Sequence, residues 1–217
     1  MSTYDVPPER LERWLRRWAE QHGPVERTEV RPARVTFVAA GGTLDCDPPF
    51  PPVAGTGVRE GFAPATLLEH AGRDRVVGVL LVRLGGHAAG VFSGTRLVDS
   101  KVGTRNVHGR HRAGGSSQKR FARRREGQAR VALEAAADVA ARVLLPHLGD
   151  IEAVVLGGDR RALGEVLEDA RLRPLAALVA DRVLDVPDPR LKVLQATPDA
   201  FRATVIRLPG QPEPVER

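Results

Sequence analysis

The spacing of apolar residues changes once near the middle of the chain, and this change constrains the fold more than any other feature. Runs over residues 75–84, 87–93 and 96–107 are apolar or alternating and are separated by short turns. Short turns join antiparallel strands, so these runs predict a three-stranded meander. From Gln118 to Leu145 the spacing becomes helical, with alanines and valines along one side.

The pattern after this helix alternates between strand and helix. Ile151–Leu156 and Arg182–Val186 are apolar runs of strand length, and helices are predicted near Arg160–Asp169 and Pro174–Ala180. From residue 75 the order is therefore β-β-β-α-β-α-β. Strands joined through helices run parallel, so the sequence predicts an α/β fold with a mixed sheet and helices on its faces.

The first 70 residues predict an extension with its own helix and strand. Residues 7–22 form the helix, with Pro7 and Pro8 in its first turn, Gly23 at its end and one apolar face of Leu11, Trp14, Leu15 and Trp18. This face either packs on the core or docks on RNA or a partner. Arg34 to Ala40 is a predicted strand, residues 47–57 a loop, and residues 66–71 a short helix.

A last predicted strand near the C-terminal end of the sequence completes the predicted division into domains. Phe201–Leu208 is a predicted last strand, expected to pair with the strand near Arg34. We expect residues 1–70 to be an extension packed on the core, residues 71–210 to be the main domain, and residues 211–217 to be a loose tail.

Positive charge is concentrated in one segment. The chain has 33 Lys and Arg against 27 Asp and Glu, and the segment from Lys101 to Arg130 holds ten of these bases and one acid, Glu126. The remainder therefore has 23 bases against 26 acids and is slightly acidic. A basic segment on an acidic background is typical of a surface that binds nucleic acid, whereas the alternative is a solvated charged surface.

Within this segment lies a glycine-rich loop, Gly114-Gly115-Ser116-Ser117-Gln118, followed by Arg120-Phe121-Ala122-Arg123. The loop and helix start resemble the Gly-Gly-Gln loop in the middle domain of eukaryotic and archaeal class-1 release factors. The two intervening serines are closer to the Vms-like release-factor branch, which includes actinobacterial stand-alone peptidyl-tRNA hydrolases. The resemblance covers roughly residues 75–190 and implies the RNase H-like fold of that middle domain.

This resemblance implies a function in translation. The expected activity is codon-independent hydrolysis of peptidyl-tRNA on stalled large ribosomal subunits, as in ribosome rescue or quality control. Gln118, Gly114 and Gly115 would be the catalytic residues, because glycines permit a close approach to RNA and a neutral glutamine can position water without acting as a base. The expected RNA contacts are Arg105, Arg110, Arg112, Lys119, Arg120, Arg123, Arg124 and Arg125.

Two alternatives remain open at the level of sequence. The same resemblance permits a nuclease that cleaves the acceptor end of tRNA. A protein that binds the ribosome or RNA without catalysis needs the basic residues but not Gln118. The expected partners are the RNA of the peptidyl-transferase centre and peptidyl-tRNA, without a membrane or a cofactor, and the protein is expected to be a cytoplasmic monomer.

Other chemistry-bearing residues favour structural interpretations. His108 and His111 lack nearby residues that would complete a metal site. Gly157-Gly158-Asp159 lacks a full phosphate-binding motif, so a plain strand-to-helix turn is expected. The single cysteine, Cys46, lies between two aspartates that should raise its pKa rather than activate it. No apolar run is long enough for a secretion signal or a membrane span.

Overall fold

A computed structural model of the chain describes residues 2–83, 86–104 and 117–208, and of residues 104 and 117–126 it describes only the backbone. These residues form two compact units. The first unit contains the chain up to Arg73 together with the segment from Asp199, and the second contains Asp74–Pro198. The first unit is therefore assembled from segments that are far apart in the sequence.

The first unit is a six-stranded antiparallel sheet with two helices. Its strands lie in the order β1-β11-β4-β3-β2-β5. Their bounds, with those of the helices, are β1 Ser2–Val6, α1 Pro8–His22, β2 Val25–Arg31, β3 Arg34–Ala39, β4 Gly42–Asp47, β5 Gly57–Glu60, α2 Ala65–Gly72 and β11 Thr204–Leu208. The helix predicted at residues 7–22 and the strand predicted from Arg34 are both confirmed.

The apolar face of α1 is buried in the core of this unit. Leu11 and Leu15 are fully buried and Trp18 nearly so, and they share one cluster with Phe37 and Ile206. Pro7 and Pro8 suit the start of α1 because they have no N–H groups, and the first N–H groups of a helix lack intrahelical acceptors. Of the two interpretations of this face, packing on a core is therefore the correct one.

The predicted partner of the last strand was wrong. β11 pairs with β1 on one side and with β4 on the other, whereas β3 lies one strand further away. The reason is β4, which folds back beside β3 and occupies that position. Its sequence, Gly-Thr-Leu-Asp-Cys-Asp, has inward-facing Leu44 and Cys46, but the alternating aspartates conceal the strand.

The second unit is a five-stranded mixed sheet in the order β10-β9-β6-β7-β8. β6, β7 and β8 form an antiparallel meander, while β9 is parallel to β6 and β10 is parallel to β9. The bounds are β6 Val76–Arg83, β7 Gly86–Ser93, β8 Arg96–Thr104, α3 Ser117–Leu144, β9 Ala153–Gly158, α4 Arg160–Leu167, β10 Val179–Leu184 and α5 Leu191–Gln195. The predicted α/β class, the β-β-β-α-β-α-β order and the RNase H-like fold are confirmed.

One predicted helix in this unit differs in type. Residues 170–178 form a 3-10 helix that precedes β10, instead of an α-helix at residues 174–180. Pro174 lies within the segment and has no N–H group, so an α-helical hydrogen-bond ladder cannot run through it. Two short helices, α5 and α6 (Thr197–Phe201), were not predicted, because five residues are too few for a helical period to emerge.

The core of the second unit lies between its sheet and α3. Ala136, Ala140 and Val143 of the helix pack with Leu80 of β6 and Val91 of β7. Small side chains on α3 allow a close approach of helix and sheet. This packing fixes the C-terminal half of α3 on the sheet, as the alanine and valine stripe predicted.

Candidate functional site

The candidate loop is the segment between the edge strand β8 and α3. β8 ends at Thr104 and α3 begins at Ser117, so twelve residues separate them, while Ser117 and Gln118 lie on the helix. Several predicted site residues lie in this loop and outside the described residues; they are Arg105, Arg110, Arg112, Gly114 and Gly115. His108 and His111 lie outside them as well.

The remaining predicted site residues lie on the first turns of α3. The helix begins one residue earlier than expected, so Gln118 is its second residue. Only the backbone is described at these positions, and their side-chain contacts lie outside the described part of the chain. The backbone places Gln118, Lys119, Arg120, Arg123, Arg124 and Arg125 on one continuous helix.

The C-terminal half of α3 packs on the core of the second unit. Leu133 is the first residue of the helix, among those with described side chains, that packs against the core of the second unit. At 1.5 Å per residue, Gln118 precedes Leu133 by about 22 Å along the helix axis. Over the following residues the buried positions become frequent, with Ala136, Ala137 and Ala140 all nearly inaccessible. The C-terminal half of α3 therefore holds the backbone of the basic N-terminal half in a defined direction.

The strand side of the loop is supported by a histidine that the sequence did not identify. His87 of β7 is buried and lies opposite Gly103 of β8, next to the residue where the loop begins. A Cβ atom at position 103 would overlap the imidazole ring of His87. Glycine is therefore required at position 103 for the His87 ring to occupy this place. In the sequence, the only sign of this buried histidine is its position in the apolar run His87–Ser93.

The Gly157-Gly158-Asp159 segment is a structural turn, as expected. Gly158 has a φ of 106°, a conformation that favours glycine. The Asp159 carboxylate accepts hydrogen bonds from the backbone N–H groups of Arg161 at 2.9 Å and Ala162 at 3.0 Å. This carboxylate caps α4 and occupies the amides that an anion would otherwise use.

The pKa of the Cys46 thiol is raised, as the sequence predicts, but burial contributes more to this shift than the neighbouring aspartates do. Burial is the main cause that raises the pKa of the Cys46 thiol far above its ordinary value, and the charges of Asp45 and Asp47 add to it. The two carboxylates alternate with Cys46 along β4. Arg34 donates to Asp47 at 2.7 Å and to Asp45 at 3.2 Å, so the acids belong to an ion-pair network on the sheet.

Two kinds of feature are absent from the described residues. Their His, Cys, Asp and Glu side chains form no group of three or more suited to hold a metal ion. None of the helices within residues 2–83, 86–104 and 117–208 has the length and apolar character needed to cross a membrane.

The chain has similarity to known structures of translation factors. It matches an archaeal translation termination factor, aRF1, with 18% identity and a TM-score of 0.44, covering 88% of this chain and 61% of that one. It matches Pelota of Archaeoglobus fulgidus with 11% identity and a TM-score of 0.30, covering 89% of this chain and 59% of that one. This chain thus spans less than two thirds of either protein.

The comparison of sequences gives the family. No curated protein matches the chain. The family model described as Actinobacteria/chloroflexi VLRF1 release factor matches residues 75–207, which is more than half of the chain. The match includes β8, the candidate loop and α3. The chain therefore belongs to the Actinobacteria/chloroflexi VLRF1 release factor family.

Proposed function

We propose that this protein is a codon-independent peptidyl-tRNA hydrolase that releases the nascent peptide from stalled large ribosomal subunits. The observation that carries the proposal is the family match over residues 75–207, which includes the whole segment from β8 to α3. The partners in this proposal are the RNA of the peptidyl-transferase centre and peptidyl-tRNA. The protein acts there as a cytoplasmic monomer without a cofactor.

The position of Gln118 supports a role in the reaction. The first four N–H groups of a helix have no intrahelical acceptor, and Gln118 lies in the first turn of α3. These groups and the positive end of the helix dipole favour negative charge nearby. The N-terminal end of α3 is therefore suited to stabilise the negative charge that develops on the ester carbonyl oxygen during hydrolysis.

In the proposed reaction, water attacks the ester carbonyl that joins the peptide to the tRNA ribose. The bond between the carbonyl carbon and the ribose oxygen breaks, and a proton from the water ends on that ribose oxygen. Gln118 is neutral and therefore positions the water rather than removing its proton. Gly114 and Gly115 lack Cβ atoms, which lets the backbone of the tip approach RNA closely.

The basic residues at the start of α3 supply affinity in this proposal. Arg120, Arg123 and Arg124 are spaced i, i+3, i+4 and therefore share one side of the helix. Arginines in such a row suit consecutive phosphates of an RNA backbone. Phosphate contacts carry no sequence information, which agrees with release at any codon.

A single-turnover assay on purified peptidyl-tRNA–large-subunit complexes tests the proposal. Labelled peptide and the 3′ end of the tRNA are followed in the same reaction. We expect free peptide and tRNA that retains an intact CCA end. A shortened tRNA would identify a nuclease, and stable binding without either product would identify a non-catalytic RNA-binding protein.

A further inference from the structure

The exposed side of α1 carries arginines that the core of the first unit does not use. Arg10, Arg13 and Arg17 are exposed, and none of them makes an ion pair with any residue that the structure describes. At 100° per residue, the three side chains fall within an arc of about 60°, and they span about 10 Å along the helix. They form one row, which we name the α1 arginine row.

Two of the three acids of α1 are paired with arginines outside this row. Glu12 is paired with Arg16, with Nη2 and Oε1 2.7 Å apart. Glu9 is paired with Arg202, with Nη1 and Oε1 2.8 Å apart. Glu20 follows Arg17 by one turn and ends the row. The row therefore presents three guanidinium groups that are free to bind an anion.

We infer that the α1 arginine row is a second RNA-binding surface, which contacts backbone phosphates of ribosomal RNA in the large subunit. This inference rests on the proposed function, because it supplies a contact for the same ribosomal complex. The row lies before residue 75, outside the part of the chain that matches the family model. It would therefore add to the contacts of the basic segment at the start of α3.

The chemistry of α1 favours RNA over a protein partner. In the core of a protein interface, arginines are accompanied by aromatic residues and methionine. On α1 the apolar and aromatic residues, Leu11, Trp14, Leu15, Trp18 and Ala19, all pack with the core cluster of the first unit. The exposed side offers only charged and amide groups, and guanidinium groups match phosphate geometry.

The general structure of RNA indicates how such a row would bind it. The major groove of an A-form helix is too narrow for side chains to read, so RNA duplexes are bound through phosphates and the minor groove. Three phosphate contacts alone give low affinity. Joined in one chain to the basic start of α3, they raise the overall affinity because the second contact becomes intramolecular.

The test measures binding of the full protein to purified large ribosomal subunits without peptidyl-tRNA, over a range of salt concentrations. The triple variant Arg10→Gln, Arg13→Gln, Arg17→Gln should bind about tenfold more weakly, and its salt slope should fall by about two to three. The matched control is Arg16→Gln, Arg27→Gln, Arg31→Gln, which removes the same charge from paired arginines of the same unit. It should change affinity by less than about twofold, because these guanidinium groups already face carboxylates.

Several outcomes separate the inference from its rivals. Equal effects of the two triple variants, or no effect of either, would overturn it. A loss of affinity for free deacylated tRNA, with subunit binding unchanged, would also overturn it. Tryptophan emission checks that α1 remains docked, since Trp14 and Trp18 both lie on it. If the wild type binds subunits through the row but releases no peptide, the proposed function fails and this inference stands.

Discussion

Near the end of β8, one glycine makes room for a buried histidine of the neighbouring strand. His87 of β7 packs on Gly103 of β8, and the two residues lie directly opposite each other in the sheet. The sequence could not reveal the pair, because it depends on the alignment of β7 with β8. The sequence predicts only that Gly103 belongs to a strand and that His87 belongs to an apolar run.

Gly103→Ala should destabilise the second unit by about 1–3 kcal/mol, since the added methyl group must displace the His87 ring. Guanidinium unfolding followed by circular dichroism measures the change. The matched control is Gly164→Ala in α4, where an added Cβ meets nothing within 4 Å. That variant should be more stable than wild type by about 0.5–1 kcal/mol, because alanine favours helix. Equal stability of Gly103→Ala and wild type would contradict the contact.

Cys46 should resist alkylation in the folded protein. Burial raises the pKa of its thiol, so the reactive thiolate is disfavoured below that raised pKa, including at pH 8 to 9. Iodoacetamide labelling, followed by mass spectrometry, should be slow in buffer and fast in guanidinium. Rapid labelling of the native protein at pH 8 would show that the thiol is accessible. The sequence predicted the direction of this shift, but it could not show that burial is its largest cause.

At the scale of elements, strands and helices with a regular apolar pattern were predicted from the sequence. Strands with many charged residues were not. The meander, α1 and the C-terminal half of α3 are rich in apolar residues, and the structure confirms all three elements. β2 and β4 have charged residues at alternate positions because one side of their sheet is polar. Their inward residues, such as Val30 and Leu44, are too few to be recognised without the neighbouring strands.

Replacing Arg123, Arg124 and Arg125 together with glutamine should weaken binding to the large subunit. The slope of log affinity against log salt should fall by about two to three, since each lost phosphate contact removes nearly one unit. The control is the triple replacement of Arg142, Arg160 and Arg173, which are exposed and lie in the same unit. An unchanged slope in the first variant would argue against phosphate contacts by α3.

At the scale of the whole molecule, the first unit requires both ends of the described chain. β11 lies between β1 and β4, and Ile206 is fully buried in a cluster with residues of α1. A linear pattern predicts strands but not which distant segments share a sheet. The division into residues 1–70, 71–210 and 211–217 remains our proposal for the functional organisation of the chain.

Ile206→Ala should lower the stability of the first unit by about 2–5 kcal/mol, because it leaves a cavity in a closed core. Tryptophan emission reports this unit alone, since the chain has two tryptophans and both lie on α1. Val205→Ala on the same strand is the control, because Val205 is only half-buried. Similar losses in both variants would contradict the assigned position of β11 in the sheet.

The most direct test of the account is the rate of peptide release by Gln118→Ala on purified peptidyl-tRNA–large-subunit complexes. Gln128→Ala is the control, since it makes the same change ten residues later on the same helix. We predict that Gln118→Ala slows release at least about a hundredfold, as expected for loss of the side chain that positions the attacking water. Its affinity for the complex should stay within about twofold of wild type, as should both properties of Gln128→Ala. Release by Gln118→Ala at the wild-type rate would contradict the account.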